Sequence, residues 1–209
     1  MDHANQMKWL DETFKEASEK NEKIVVLGHI KPAGSSRWSH FKLYHFEKLI
    51  QKYQHLVIGQ FYGHNHVDDI SFMMSEENKI ISGIYVGGVV IPGGKNPSVR
   101  LYKYDSDTFQ LLDYEVFYIP LKESEAAGQI LWKKSYSFTE EYGVPDMSKE
   151  SLQKFYESLK STSNWNKYRL NLKSKWIDSP CEGGCKKSKL CAMISPTPSR
   201  LDECRKQNL

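Results

Sequence analysis

Ile24-Val25-Val26-Leu27-Gly28-His29 and Leu56-Val57-Ile58-Gly59-Gln60-Phe61-Tyr62-Gly63-His64-Asn65-His66 are two apolar runs that each end in Gly-His. A short, continuous apolar run bounded by glycine reads as a buried strand of the parallel type. Between the runs, Lys31 to Arg37 carries Pro32 and Gly34 and reads as a loop. From about Ser39 to Lys52 the spacing is helical, with Phe41, Tyr44, Leu49 and Tyr53 expected on one side. A strand–helix–strand unit of this kind predicts parallel strands joined by a right-handed crossover. Their carboxyl ends then share the sheet edge at which α/β folds bind ligands.

Upstream, Asn5 to Glu22 places Met7, Leu10, Phe14 and Ala17 at helical spacing among Lys and Glu. Downstream, residues 70–74, 81–90, 99–104 and 111–118 are β-rich and separated by Gly, Pro, Asn or Asp turns. They read as an antiparallel meander following the parallel unit. The stretch 130–138 fits strand or helix. From Ser148 the pattern is helical, with Leu152, Phe155, Tyr156 and Leu159 on one face. Ser148 is the expected N-cap, without the Glu or Gln that would complete a capping box. The tail reads as short helical pieces, and no internal repeat or low-complexity tract occurs.

The chain has 209 residues and a mass of 24.3 kDa, which suits one large domain or a domain with an appendage. Aromatic residues make up 12 %, too many for a disordered chain. No run reaches the roughly 18 apolar residues of a membrane-spanning helix. A balance of 29 basic against 26 acidic residues does not mark a nucleic-acid binder. The first residues, Met1-Asp2-His3-Ala4-Asn5, lack the apolar core of a signal peptide. All four cysteines, Cys181, Cys185, Cys191 and Cys204, fall near the end. A clustered, even set suggests disulfides and an oxidising compartment. A zinc knuckle is the rival, although the spacing and the lack of an interspersed His fit it poorly. An oxidised tail without a leader is expected of a chain that lacks its natural N-terminus.

In an extended segment, residues i and i+2 point to one side, so His64 and His66 are expected to face one crevice. His29 ends the neighbouring strand and should converge with them. Neutral imidazole is a ready zinc ligand, and the glycines before His29 and His64 leave the backbone room to turn. His3, His40, His45 and His55 read as surface or cap residues. An isolated H-x-H carries no more than that either; two Gly-His strand ends in one unit favour a metal site. Three histidines still make an incomplete two-metal centre, which needs a bridging carboxylate and more ligands. Asp68 and Asp69 follow closely, and an aspartate just past such a turn more often orients a ligating His.

Gly28-His29-Ile30-x-Pro32-x-Gly34, then Gly59 to Asp68 in order, and Asn96-Pro97-Ser98-Val99-Arg100-Leu101-Tyr102-Lys103-Tyr104-Asp105 resemble the C-terminal half of the acid sphingomyelinase-like phosphodiesterases. These belong to the calcineurin-like metallophosphoesterase superfamily. The resemblance covers nearly the whole chain. It implies an α/β fold: the C-terminal half of a two-sheet sandwich flanked by helices, with a small helical, disulfide-bonded C-terminal subdomain. The expected division is residues 1–120 and 121–209. It also implies two zinc ions per complete site, with His29 and His64 on one and His66 on the other, and Asp68 and Asn65 beside these ligands. Disulfides Cys181–Cys185 and Cys191–Cys204 are implied likewise. The family's N-terminal motifs, D-x-H, the bridging G-D aspartate and G-N-H, are absent here, so no catalytic acid is assigned. Asn65 stands where the family usually has Thr, and Lys31 where Pro is common.

The expectation is therefore a zinc-dependent phosphodiester hydrolase acting on small phosphodiester or nucleotide substrates, extracellular or lysosomal. It is present as a truncated chain, inactive alone, whose partner is the missing N-terminal half. A non-catalytic binding or regulatory fragment is the alternative. A nucleic-acid polymer is not an expected partner, and no transmembrane segment is expected.

Overall fold

The computed structural model describes residues 2–32, 37–91, 93–176, 179–194 and 198–206. Gly34 of the expected loop lies outside these described residues. In chain order the elements are α1 Gln6–Glu19, β1 Ile24–Leu27, α2 His40–Lys52, β2 Val57–Tyr62, β3 Asp69–Met74, β4 Ile80–Val86, β5 Ser98–Tyr104 and β6 Leu111–Tyr118. They continue as α3 Leu121–Ala127, β7 Lys133–Ser137, α4 Phe138–Tyr142, α5 Lys149–Ser158, α6 Thr162–Leu172, α7 Gly184–Ile194 and α8 Pro198–Lys206. The chain is mixed α/β, with two sheets, flanking helices and a disulfide-bonded C-terminal region. It divides into two compact units, Met1–Tyr62 with Ile70–Tyr85 and Glu182–Leu209, and Gly63–Asp69 with Val86–Cys181.

The first unit holds a sheet of strand order β1-β2-β4-β3. β1 and β2 pair in parallel, with Leu27 opposite Phe61, as the strand–helix–strand pattern requires. β3 and β4 are neighbours joined by a turn in which Ser75 N–H donates to Lys79 O at 2.8 Å. A connection this short joins adjacent strands only antiparallel. Ser39 caps α2 by accepting from Lys42 N–H, and Phe14 and Ala17 of α1 are buried while Met7 and Leu10 are half-buried.

Two expectations are corrected here. The buried face of α2 is Leu43, Phe46, Leu49 and Ile50 with Tyr53 beyond; Phe41 and Tyr44 are exposed. The Leu43–Phe46–Leu49–Ile50 stripe buries area with no polar group to desolvate, and the phenol beyond it, Tyr53, finds a partner in Asp11 Oδ1 at 3.4 Å. β1 is not a fully buried strand either. It is a sheet edge, and since alternate residues face opposite sides, Val25 and Leu27 stand 49 % and 77 % exposed.

The second unit holds β5-β6-β7, an antiparallel meander with Tyr102 opposite Tyr114 and Val116 opposite both Arg100 and Tyr136. The four-strand meander expected after β2 is thus split. β3 and β4 extend the parallel unit's sheet, and β5 and β6 take β7 as their third strand. One face of this sheet turns Tyr114, Val116 and Tyr136 into an aromatic core with Phe138, Tyr142, Phe155, Trp165 and Tyr168. The other leaves Val99 and Leu101 exposed. Ser148 caps α5 through Ser151 N–H and Ser161 caps α6 through Asn164 N–H. Trp165 is fully buried, and its indole N–H donates to Cys181 O at 2.7 Å.

Cys191 and Cys204 form a disulfide, Cys181 and Cys185 are disulfide-bonded as well, and no cysteine is free. The oxidised tail holds, and the zinc-knuckle alternative falls with it. Among the described residues no helix is long and apolar enough to cross a membrane.

Candidate functional site

His29 follows β1 in the first unit and is exposed. Gly28 before it donates its N–H to Phe61 O at 3.0 Å, carrying the parallel pairing one residue past the strand. The space this glycine leaves is taken by a ring: a Cβ there would sit 2.6 Å from Cε1 of Tyr62. Close approach of an aromatic side chain, rather than room for a metal, is what requires Gly28. The Tyr62 hydroxyl, pushed well up from the ordinary phenol range by burial, donates to Gln60 Oε1 at 3.2 Å. Lys31 is buried in the same unit, and its ammonium donates to Ser71 Oγ at 2.6 Å.

His64 and His66 follow β2 and belong to the second unit. They do not lie in an extended segment. His64 has φ +67° and His66 φ +54°, both left-handed, and Asn65 N–H closes a three-residue turn on Gly63 O at 2.8 Å. A γ-turn with positive φ at its centre is rare and strained. Each left-handed non-glycine residue costs about 1–2 kcal/mol. The turn brings the two imidazoles onto one short segment, half-exposed at His64 and exposed at His66, with Asn65 exposed between them.

Asp68 is where this turn meets the interior. Its Oδ1 accepts from Arg100 Nε and its Oδ2 from the Tyr136 hydroxyl, each at 2.5 Å. The side chains of Arg100 and Asp68 are 2 % and 0 % exposed. Arg100 also donates from Nη2 to Asp69 O at 3.1 Å and from Nη1 to the Tyr102 hydroxyl at 3.2 Å, and it lies 4.4 Å from the Tyr114 ring centre. The Tyr168 hydroxyl donates to Asp69 Oδ1 at 2.5 Å, and Asp68 N–H donates to Leu172 O at 2.9 Å. Asp68 and the rings around it hold the Arg100 guanidinium well above its ordinary pKa, against the opposing pull of burial. Burial drives the hydroxyls of Tyr114, Tyr136 and Tyr168 well up, so they stay protonated donors. Removing either partner of such a buried pair strands the other charge, at about 3–5 kcal/mol.

The residues that reading the sequence missed are Arg100, Tyr136 and Tyr168. A signal existed for the first: Arg100 and Tyr102 alternate onto one strand face, so the cation sits on an aromatic stripe and needs a counter-ion. His40, His45 and His55 are exposed on or beside α2, and His3 is exposed near the N-terminus, as expected of surface residues. Among the described residues no group of three or more His, Cys, Asp or Glu is placed to hold a metal ion.

Relatives align over almost the whole chain. It is 30 % identical over 223 residues to the cyclic GMP-AMP phosphodiesterase SMPDL3A of Bos taurus, which covers 99 % of this chain and 49 % of that protein. It is 25 % identical to acid sphingomyelinase-like phosphodiesterase 3b of Homo sapiens, over 92 % of this chain and 46 % of the relative. It is 28 % identical to sphingomyelin phosphodiesterase A of Dictyostelium discoideum, over 96 % and 35 %. The chain thus spans about half the length, or less, of these curated relatives. The model of the acid sphingomyelin phosphodiesterase C-terminal region matches residues 84–209, more than half of the chain, and the chain belongs to that family.

Proposed function

We propose that this chain carries the C-terminal share of a zinc-dependent phosphodiester hydrolase and does not turn over substrate by itself. The observation that carries this is the His64-Asn65-His66 turn, held in two left-handed conformations beside a buried anchor in a chain of this family. In donor chemistry the turn fits zinc, which takes neutral imidazole readily. In number the set falls short of the three or four protein ligands a zinc site normally has. His29 and His64 would serve one zinc position and His66 the other, with Asp68 and Asn65 beside them, and the remaining ligands would come from chain outside this sequence. Bound zinc would supply the charge that polarises a phosphodiester and lowers the pKa of water. What this chain would contribute is three imidazoles, two of them on a turn with left-handed backbone.

Relatives named for cyclic GMP-AMP and for sphingomyelin share a phosphodiester linkage, and a small phosphodiester is the substrate class we assign. Disulfides persist in oxidising compartments, which supports an extracellular or lysosomal location.

The test is zinc analysis together with turnover of a chromogenic phosphodiester. The chain alone should bind zinc weakly, lose that binding on His64→Ala, and hydrolyse no faster than buffer. Co-expression with the remaining half of a relative should restore activity that His64→Ala abolishes. Hydrolysis by the chain alone with two zinc ions bound would show it to be a complete enzyme. Zinc binding indifferent to His64→Ala would remove the metal role and leave a non-catalytic binding fragment.

A further inference from the structure

We propose that Arg100, Tyr136 and Tyr168 are positioning residues for the His64–His66 turn: they clamp Asp68 and Asp69 and thereby fix where the two imidazoles stand. The proposal rests on reading His64 and His66 as zinc ligands, and it adds which residues give those ligands their geometry. Two left-handed non-glycine residues separated by one position do not persist unless their surroundings over-determine them. The over-determination is visible directly downstream. Asp68 is tied through its N–H to Leu172 O and through its two carboxylate oxygens to Arg100 and Tyr136. Asp69 is tied through its carbonyl to Arg100 and through its carboxylate to Tyr168. The ties come from β5, β7 and α6, three separate elements of one compact unit.

Arginine is the residue this job needs. Its planar fork reaches the Asp68 side chain with one nitrogen and the Asp69 main chain with another, which the point charge of a lysine ammonium does not reproduce. Stability alone is a poor reason for the pair, because apolar residues of similar volume hold a core as well as a buried ion pair does. Its place two residues beyond His66 gives it other work: it fixes the downstream end of a turn that would otherwise relax.

The test compares Arg100→Lys and Tyr136→Phe with Leu152→Ala in the full chain. Leu152 is buried in α5 of the same unit and takes no part in the hydrogen bonds at Asp68. Tyr136→Phe removes a single hydroxyl and keeps the test open if Arg100→Lys fails to fold. The readouts are zinc affinity by chelator competition and the amide and imidazole resonances of His64 and His66 without metal. We expect Arg100→Lys and Tyr136→Phe to weaken zinc binding about 10–100-fold, the range for partners behind a metal ligand. They should also shift or split the His64 and His66 resonances. Leu152→Ala should lower the melting temperature at least as much and leave both readouts as in the parent. The proposal is overturned if the first two variants leave the resonances and affinity unchanged, or if Leu152→Ala changes them equally. Should His64→Ala leave zinc affinity untouched, the zinc assignment fails separately, and the metal-free resonances alone decide whether the clamp positions the turn.

Discussion

Breaking the Cys191–Cys204 crosslink should cost the first unit a large share of its stability. The disulfide spans 13 residues with Cα atoms 5.6 Å apart, and it joins α7 to α8. In the chain-entropy treatment a loop of that length is worth about 3 kcal/mol at 25 °C. Beyond the crosslink, α8 is tied to α7 by Arg205, which donates from Nε and Nη2 to Ser188 Oγ at 3.1 and 2.8 Å on an exposed surface. Its nine residues are fewer than the roughly 12–15 an isolated helix needs. Among its described side chains only Cys204 is buried. Arg200 Nη1 reaches Glu47 Oε1 at 3.2 Å, but Arg200 is 39 % exposed, and a pair of that kind contributes at most about 1 kcal/mol.

The double substitution Cys191→Ala/Cys204→Ala, with Cys181 and Cys185 kept, should therefore lower stability by about 3 kcal/mol. That corresponds to roughly 6–12 °C in Tm for a chain of this size. Urea unfolding should show a lower midpoint, and amide exchange over α8 should lose its protection first. A midpoint shift worth less than about 1 kcal/mol, with α8 still protected, would refute the reasoning: packing between α7 and α8, and not the crosslink, would then hold the helix. The size of the effect bears on location. Against a total of about 5–15 kcal/mol, losing 3 in a reducing compartment is a serious handicap.

Two further outcomes follow from particular residues. Burial raises the pKa of Glu47, opposed by Arg200 and Lys48. A carboxyl raised on folding binds its proton more tightly in the native state, so its contribution is full below the ordinary glutamate value and is lost as pH rises through the folded one. Glu47→Gln should flatten that limb of the stability–pH profile; superimposable profiles for parent and variant would discard the assignment. At the exposed edge of the first sheet, Val25→Lys/Leu27→Lys should reduce aggregation with Tm unchanged, since edge lysines block strand addition. Light scattering checks this, and equal aggregation of the two proteins would place the sticky surface elsewhere.

How far the sequence could be read follows from the range of the forces involved. The helix cap at Ser148, the helix beginning near Ser39 and the parallel pairing of β1 with β2 are legible because caps and periodicity act over a few residues. The inward face of α2 is not, because both the Phe41–Tyr44 stripe and the Leu43–Phe46–Ile50 stripe are helical and only what lies beneath chooses between them. Nor is the partition of strands: β4 lies between β2 and β3, and β7 reaches β6 across α3, neither being implied by order along the chain. The H-x-H motif reads in sequence as an extended segment, whereas its backbone is left-handed at both histidines. The groups at the following aspartates come from 32, 68 and 99 residues away. No local rule announces left-handed backbone at two histidines. Arg100 on the Tyr102 side of β5 does announce a buried acid, and the first carboxylates after the motif are Asp68 and Asp69. A cation set in an aromatic stripe, read together with an acid two residues past an H-x-H motif, therefore points from sequence alone to the long-range contact between Arg100 and Asp68.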